Sequence, residues 1–120
     1  MSEFKFSKED NQAVEWCEKN YPDLTGEYKK IMMNQYILFC KKHRNYGTSN
    51  INVGTNLETD KDVKLSLTGL WFRLNDKIQR LKQLVVNGEP DTVGESSLDT
   101  YQDLSIYGII AQLVSQKKFK

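Results

Sequence analysis

The sequence predicts an all-α fold, a small helical bundle of about four helices with one long ordered loop. Apolar residues recur at three- and four-residue steps over most of the chain, which is the period of a helix that buries one side. The two prolines, Pro22 and Pro90, lie where this period lapses, so they indicate connections between helices rather than kinks. Nothing in the pattern requires a sheet. A length of 120 residues suits one domain, and we expect residues 1–120 to form it.

Two helices are predicted before the loop. Ser7 is a capping residue at the start of the first helix, which we expect to end near Asn20. The second helix is predicted from Thr25 to Tyr46, and Gly47 follows at a position where helices commonly stop.

The loop is predicted between residues 46 and 62, a stretch that is rich in Gly, Asn and Thr and has no sustained period. It is longer than most connections between helices, and isolated apolar residues such as Ile51 and Leu57 favour an ordered conformation. After it, the third helix is predicted from about Val63 to Asn87. The fourth is predicted from position 94 or 95 to about Gln116.

The third helix carries an apolar stripe that we expect to face the core, formed by Leu67, Trp71, Leu74, Ile78, Leu81 and Val85. The opposite side is charged, and we expect it to face solvent; it holds Arg73, Asp76 and Arg80, with Lys77 on the flank. Phe72 and Gly69 share this charged side. An apolar ring beside an open glycine indicates a second packed surface, which predicts a homo-oligomer or a pocket.

Composition excludes several classes of protein. With 17 Lys and Arg against 16 Asp and Glu, the net charge is +1, which lacks the cationic excess of most duplex nucleic acid binders. The two cysteines, Cys17 and Cys40, are too few for a disulfide scaffold, and we expect them to be buried and reduced. The longest apolar run, residues 36–40, is too short to span a membrane, and the N-terminus lacks the apolar core of a signal peptide. We therefore expect a cytoplasmic protein with no membrane partner.

Three acidic residues at four-residue steps are the strongest chemical signal. Glu95, Asp99 and Asp103 fall within about 80° of one another on a helix, on the arc that also carries the apolar residues of the fourth helix. Carboxylates so placed repel one another unless a cation lies between them, and Mg²⁺ or Mn²⁺ suits oxygen ligands. The alternative is that acids in the first turns only complement the positive end of the helix.

A basic segment ends the second helix, K-K-H-R-N-Y-G at residues 41–47. Its cations could hold a phosphate, while His43 and Tyr46 could stack on a nucleotide base. The alternative is that basic residues are simply favoured at the C-terminal end of a helix and that the histidine is a packing residue.

Three segments together resemble a known family. They are residues 41–47, the R-L-N-D-K-I-Q-R-L stretch at 73–81, and E-S-S-L-D-T-Y-Q-D-L-S-I-Y at 95–107. In order and spacing they resemble the nucleotide modification associated domain 1 family of phages and bacteria, over about residues 28–115. The acidic helix is also distantly similar to MazG-like all-α nucleoside triphosphate pyrophosphohydrolases. The resemblance implies a protein of a bacterium or of a phage-infected host cell.

The resemblance also implies roles for individual residues. Candidate metal ligands for Mg²⁺ or Mn²⁺ are Glu95, Asp99 and Asp103, with Asp76 from the neighbouring helix. Candidate phosphate- and nucleotide-binding residues are Arg73, Lys77, Arg80, His43 and Tyr46. It assigns no catalytic residue.

Three functions stay open at this point. One is Mg²⁺-dependent hydrolysis of a (deoxy)nucleoside triphosphate to the monophosphate and pyrophosphate. The second is non-catalytic, oligomeric binding of a nucleotide or a nucleotide-derived signal. The third is a helical interaction module whose polar stripe is only a dimer surface. MazG-like enzymes pair an ExxE helix with an ExxD helix, whereas the third helix here offers only Asp76. That incomplete acidic set favours the binding function.

Overall fold

The computed structural model describes residues 4–120 and contains four α-helices, with no strand in that range. The helices are α1 (Lys8–Asn20), α2 (Pro22–Tyr46), α3 (Asp60–Leu81) and α4 (Ser97–Ser115), and a short π-helical turn (Lys82–Val86) continues α3. The predicted all-α fold is therefore confirmed. Within residues 4–120, no helix combines the length and the hydropathy that a membrane-spanning segment needs.

The chain divides into two compact units, one ending at Leu38 and the other covering Phe39–Lys120. Helix α2 therefore contributes its first part to one unit and its last two turns to the other. That residues 1–120 form one domain stays a prediction.

The first unit contains α1 and the beginning of α2. Ser7 caps α1 as expected, since its side chain accepts a hydrogen bond from the Asp10 amide at 3.1 Å. Helix α2 begins at Pro22, three residues before the predicted start, because the φ angle of proline suits a first helical turn. An exposed ion pair of 2.7 Å joins Glu18 of α1 to Lys29 of α2.

The second unit contains all of the buried residues of the described chain. Helix α3 packs against α4. The apolar core consists of Ile51, Leu57, Leu70, Ile106, Ile110, Val114 and Phe119. Two hydroxyl side chains, Ser66 and Thr100, are buried with it, and each donates to a backbone carbonyl, which removes most of the penalty of burying a polar group.

The connection between α2 and α3 is ordered, as its apolar residues predicted. Ile51 and Leu57 are buried, and Ser66 of α3 donates a 2.8 Å hydrogen bond to the backbone carbonyl of Ile51. The loop thus forms one wall of the core. It includes two non-glycine residues with positive φ, Val53 and Leu57, and burial of the Leu57 side chain opposes the strain of that conformation.

The prediction for the faces of α3 is wrong in part, since Arg73 and Asp76 are exposed as expected but several other residues are not placed as predicted. Trp71 and Ile78 of the expected core stripe are 59% and 52% exposed, while the buried residues Ser66 and Leu70 lie on a face that is rotated by roughly 60–100° from the centre of that stripe. The stripe residues Leu67, Leu74 and Leu81 are half-buried. Lys77 and Arg80 lie on the side of Ser66 and Leu70, with side chains only 22% and 19% exposed. A helical period places residues on a common face but does not determine which of two faces the neighbouring elements cover.

The prediction for the cysteines is also wrong, because both Cys17 and Cys40 are exposed free thiols. Their apolar neighbours in the sequence predicted a covered position. Nothing buries the helix faces that carry these two residues within the described chain.

After the end of α4, the chain turns back towards the core. Lys117 has φ of +57°, its amide donates to the carbonyl of Val114, and the Lys118 amide donates to that of Leu113. This pair of bonds is a Schellman motif, which reverses the chain direction after a helix. Phe119 is thereby placed in the core, 5% exposed.

Candidate functional site

A lysine of α3 lies between two of the predicted metal ligands. The Nζ atom of Lys77 is 2.5 Å from Oε1 of Glu95 and 2.9 Å from Oδ2 of Asp103. The hydrogen bond to Glu95 raises the pKa of Lys77 above its usual range; partial burial opposes this effect, and Asp103 adds to it. The ammonium thus supplies the positive charge that the acidic arc was expected to need.

Arg80 anchors the connection that precedes α4. Its Nη2 donates to Oδ1 of Asp91 at 2.7 Å and to the backbone carbonyl of Glu95 at 2.6 Å. Burial favours a higher pKa for Asp91, but hydrogen bonds from the Val93 amide and from Arg80 outweigh it and lower that pKa. Arg80 therefore holds the protein's own chain rather than presenting a free guanidinium.

Asp99 takes part in the N-terminal cap of α4. Its amide donates to the Ser96 hydroxyl at 3.1 Å and its carboxylate accepts from the Ser96 amide at 3.2 Å, which is a reciprocal capping box. This is the local alternative that the sequence left open for the acids. Asp76 lies apart from this cap, on α3, where it lines a cavity.

We expect replacement of Ser96 by alanine to lower the free energy of unfolding by about 1 kcal/mol, because the Asp99 amide loses its hydroxyl acceptor and the Asp99 carboxylate loses the hydroxyl donor that helps to hold it in the box. Urea denaturation measures the difference. Ser97→Ala, one position later, is the matched control and should change stability by less than about half as much. Equal losses in the two variants would contradict the role of the cap.

The four predicted metal ligands do not form one ligand set in this structure. Glu95 and Asp103 bind Lys77, and Asp99 caps its own helix. Across residues 4–120, no group of three or more His, Cys, Asp or Glu side chains is placed to hold a metal ion. The donor set therefore does not fit Mg²⁺ or Mn²⁺ as arranged, and we derive no step through a metal. Binding of either ion stays a prediction.

An aromatic cavity of about 100 Å³ lies within the second unit, and Asp103 is one of the residues that line it. Its aromatic walls are Phe39, His43, Tyr46, Tyr107 and Phe119. The rings of Phe39 and His43 stack with centroids 5.6 Å apart, and Phe119 meets the His43 ring edge-on at 5.2 Å. The Nε2 atom of His43 is 2.7 Å from the backbone oxygen of Lys120, and since a carbonyl only accepts, this nitrogen donates.

Arg73 separates the aromatic cavity from a second, polar cavity. It lines both, as does Tyr107, and its guanidinium lies 6.0 Å from the centre of the Tyr107 ring. One Nη2 donor is used by the backbone carbonyl of Asn50 at 2.7 Å. The polar cavity has a volume of about 350 Å³, and Asp76, Lys77, Arg80 and Glu95 complete its lining.

The structure therefore places the five predicted nucleotide-binding residues in two groups. His43, Tyr46 and Arg73 line the aromatic cavity, whereas the charges of Lys77 and Arg80 are matched by acids. Sequence reasoning did not assign Tyr107 and Phe119 to a site. Tyr107 lies within the segment that carries the resemblance, but Phe119 follows the last helix, where no periodic signal exists.

Comparison with known proteins finds no family model, no curated protein and no solved structure that matches this chain. The resemblance to the nucleotide modification associated domain 1 family therefore stays a prediction from the sequence.

Proposed function

We propose that this protein binds a nucleotide, or a small nucleotide-derived molecule, without hydrolysing it. The base would enter the aromatic cavity and the phosphate would lie near Arg73 at the boundary with the polar cavity. The observation that carries this proposal is the position of Arg73, whose guanidinium lies over the Tyr107 ring in a cavity that four further aromatic rings line.

The sizes and surfaces of the two cavities suit the two parts of such a ligand. The aromatic cavity of about 100 Å³ is too small to enclose a whole nucleotide, so only part of the base would lie inside it. The polar cavity of about 350 Å³ has room for a sugar and phosphate. Together they fall in the range of roughly 300–1,000 Å³ that small-molecule sites occupy. Aromatic faces accept any base by stacking, so this wall alone does not select one base.

The ion pairs indicate which cations are available to a phosphate. Lys77 and Arg80 are engaged by Glu95, Asp103 and Asp91. By contrast, Lys42 and Arg73 line the aromatic cavity, and neither takes part in an ion pair within the described chain. Arg73 also keeps guanidinium donors beyond the one used by Asn50. We therefore expect Arg73 and Lys42 to neutralise the phosphate.

Binding rather than hydrolysis is favoured by the position of Lys77. A pyrophosphohydrolase needs carboxylates that hold Mg²⁺ against the phosphates. Here Glu95 and Asp103 hold an ammonium instead, and releasing them would leave Lys77 half-buried without its partners.

The direct test is calorimetric titration of the protein with nucleoside monophosphates and triphosphates, with the matching nucleosides, in the presence and absence of Mg²⁺. We expect at least one nucleotide to bind more tightly than its nucleoside. Arg73→Ala should weaken nucleotide binding about tenfold or more, since a hydrogen bond to a charged group contributes about 1.5–3 kcal/mol, and should affect the nucleoside less.

Arg44→Ala is the matched control, because it removes a guanidinium from the end of α2 that does not line the cavity. It should leave affinity unchanged. Equal losses in the two variants, or no nucleotide that binds, would overturn the proposal. Mg²⁺-dependent release of pyrophosphate would overturn its non-catalytic part and favour the hydrolase.

A further inference from the structure

The N-terminal helix pair, which we define as residues 4–38, has no buried residue. It nevertheless carries eleven large apolar side chains that are about half exposed or more: Phe4, Phe6, Trp16, Tyr21, Leu24, Tyr28, Ile31, Met32, Met33, Tyr36 and Ile37. A globular domain buries most such side chains. The helix pair therefore has the apolar composition of a buried element, although none of its side chains is buried within one chain.

The apolar residues of α2 surround the helix in this unit. Residues 31–38 read I-M-M-N-Q-Y-I-L, and Met33 lies about 160° around the helix from Ile31. A helix that is apolar on all sides belongs in the interior of a protein. Within one chain, none of this stretch is buried. More than one face of α2 therefore needs a covering surface.

The contacts within the helix pair are weak. The ion pair between Glu18 and Lys29 joins side chains that are 40% and 56% exposed, and such pairs contribute little to stability. The rings of Trp16 and Tyr21 meet edge-on at 5.8 Å next to the turn. A groove of about 390 Å³ between the two helices is lined largely by apolar side chains, including Phe6, Tyr28 and Met32. Two helices without a buried core are marginal by themselves.

The exposed area matches the requirement of a stable dimer. The eleven side chains expose roughly 1,300 Å² per chain, whereas a standard interface buries about 800 Å² on each partner. Because one patch would meet the same patch of another copy, the interface would be two-fold symmetric.

The charge of the helix pair also favours a second copy over a membrane surface. Residues 4–38 contain five Lys and no Arg against six Asp and Glu, so no strong field of one sign opposes self-association. A helix that lies on an anionic membrane normally has a polar face rich in Lys and Arg. Here the acids are in slight excess.

We propose that two copies of this chain pair through the N-terminal helix pair and form a two-fold symmetric four-helix bundle. Each copy contributes α1 and the first part of α2, and the apolar faces left open in one chain cover those of the other. This inference is independent of the nucleotide site. The sequence predicted an oligomer from α3, whereas the structure indicates the N-terminal helices as its interface.

The first measurement is the mass of the full chain in solution by analytical ultracentrifugation, with thermal unfolding at several protein concentrations. We expect about twice the 14.0 kDa of one chain and a Tm that rises with concentration, since association stabilises the folded state by mass action. A monomer whose Tm is independent of concentration would overturn the proposal. So would a monomer that cosediments with phosphatidylserine vesicles.

The interface is located by paired charge substitutions. Leu24→Glu with Ile31→Glu changes two side chains that are 66% and 53% exposed in one chain, so each chain should still fold while the dimer is lost. Leu65→Glu with Phe72→Glu is the matched control on α3, where the side chains are 50% and 59% exposed. We expect the control to stay dimeric. A dimer that survives the first pair of substitutions and is lost in the second would overturn the proposal.

A chemical measurement does not depend on the folding of the variants. The Cys17 thiol is exposed in one chain and lines the groove of the helix pair, so dimerisation should cover it. We expect its alkylation rate in the unmodified protein to rise severalfold when the sample is diluted below the dimer dissociation constant. A rate that is the same at all concentrations would contradict the proposed interface.

Discussion

Replacement of Lys77 by methionine is expected to lower the free energy of unfolding by about 1–3 kcal/mol, the usual range when a charged hydrogen-bond partner is removed. The variant keeps the length of the side chain but leaves Asp103 without its cation and leaves Glu95 with only the Arg80 Nε atom, at 3.4 Å. The side chains of Glu95 and Asp103 are 32% and 29% exposed, so water moderates the repulsion between them without removing it.

Chemical denaturation at neutral pH measures this effect. Lys61→Met is the matched control, because Lys61 is an exposed residue in the first turn of the same helix. We expect the control to change stability by less than about 0.5 kcal/mol. If the two variants lost the same stability, the bridge between the acids would not be the cause.

The loss of stability caused by Lys77→Met should become smaller as the pH rises into the alkaline range. Because the folded protein raises the pKa of Lys77, folding favours the charged form. This stabilisation is fully present below the ordinary value of 10.5 and is lost as the pH rises through the higher pKa of the folded state. The difference in stability between the unmodified protein and Lys77→Met should therefore narrow above about pH 10.5. A difference that grows with alkaline pH would contradict this assignment.

The same variant distinguishes two roles of Glu95 and Asp103, which are binding of the Lys77 ammonium and binding of a metal ion. Removal of the ammonium leaves two carboxylates that a divalent cation can neutralise. We expect Mg²⁺ to raise the Tm of Lys77→Met and to leave that of the unmodified protein almost unchanged. A larger Mg²⁺ shift in the unmodified protein would instead support the metal site predicted from the sequence.

Replacement of Arg80 by lysine is expected to destabilise the protein by about 1–3 kcal/mol, although the charge is kept. A single ammonium cannot reproduce the guanidinium that bonds both the Asp91 carboxylate and the Glu95 carbonyl. Without it, we expect faster amide hydrogen exchange at Val93 and Gly94, whose N–H groups donate to that carboxylate.

The matched control is Arg44→Lys, which makes the same change at an exposed position near the end of α2. Its stability and its exchange rates in the segment before α4 should equal those of the unmodified protein. Unchanged exchange at Val93 and Gly94 in Arg80→Lys would show that the guanidinium does not hold this segment.

Much of the local structure follows from nearby residues alone. Ser7 caps α1, Gly47 follows α2 with a positive φ, and a capping box around Ser96 opens α4. Each of these features depends on groups within a few residues of one another. The start of α2 at Pro22 is the exception, because the apolar period begins later than the helix.

The site was only partly predictable, because its parts come from distant segments. Arg73, His43 and Tyr46 were named from a basic cluster and a family resemblance, and the structure brings them to one cavity. Phe119 carried no signal, since its position depends on the turn at Lys117 rather than on a helical period. The same holds for the ion pairs of Lys77 and Arg80. These two cations of α3 bind Asp103 of α4 and two acids of the segment that precedes it, Asp91 and Glu95.

By itself, the sequence determined that the chain is helical, where most helices begin and end, and that acids and cations recur at helical spacing. Only the tertiary structure decided which face of α3 is covered, that Lys77 binds Glu95 and Asp103, and that α1 and the first part of α2 stay uncovered in one chain. The physical reason is the range of the interactions. Caps and periods act within a few residues, whereas burial depends on which distant segments compete for the same face.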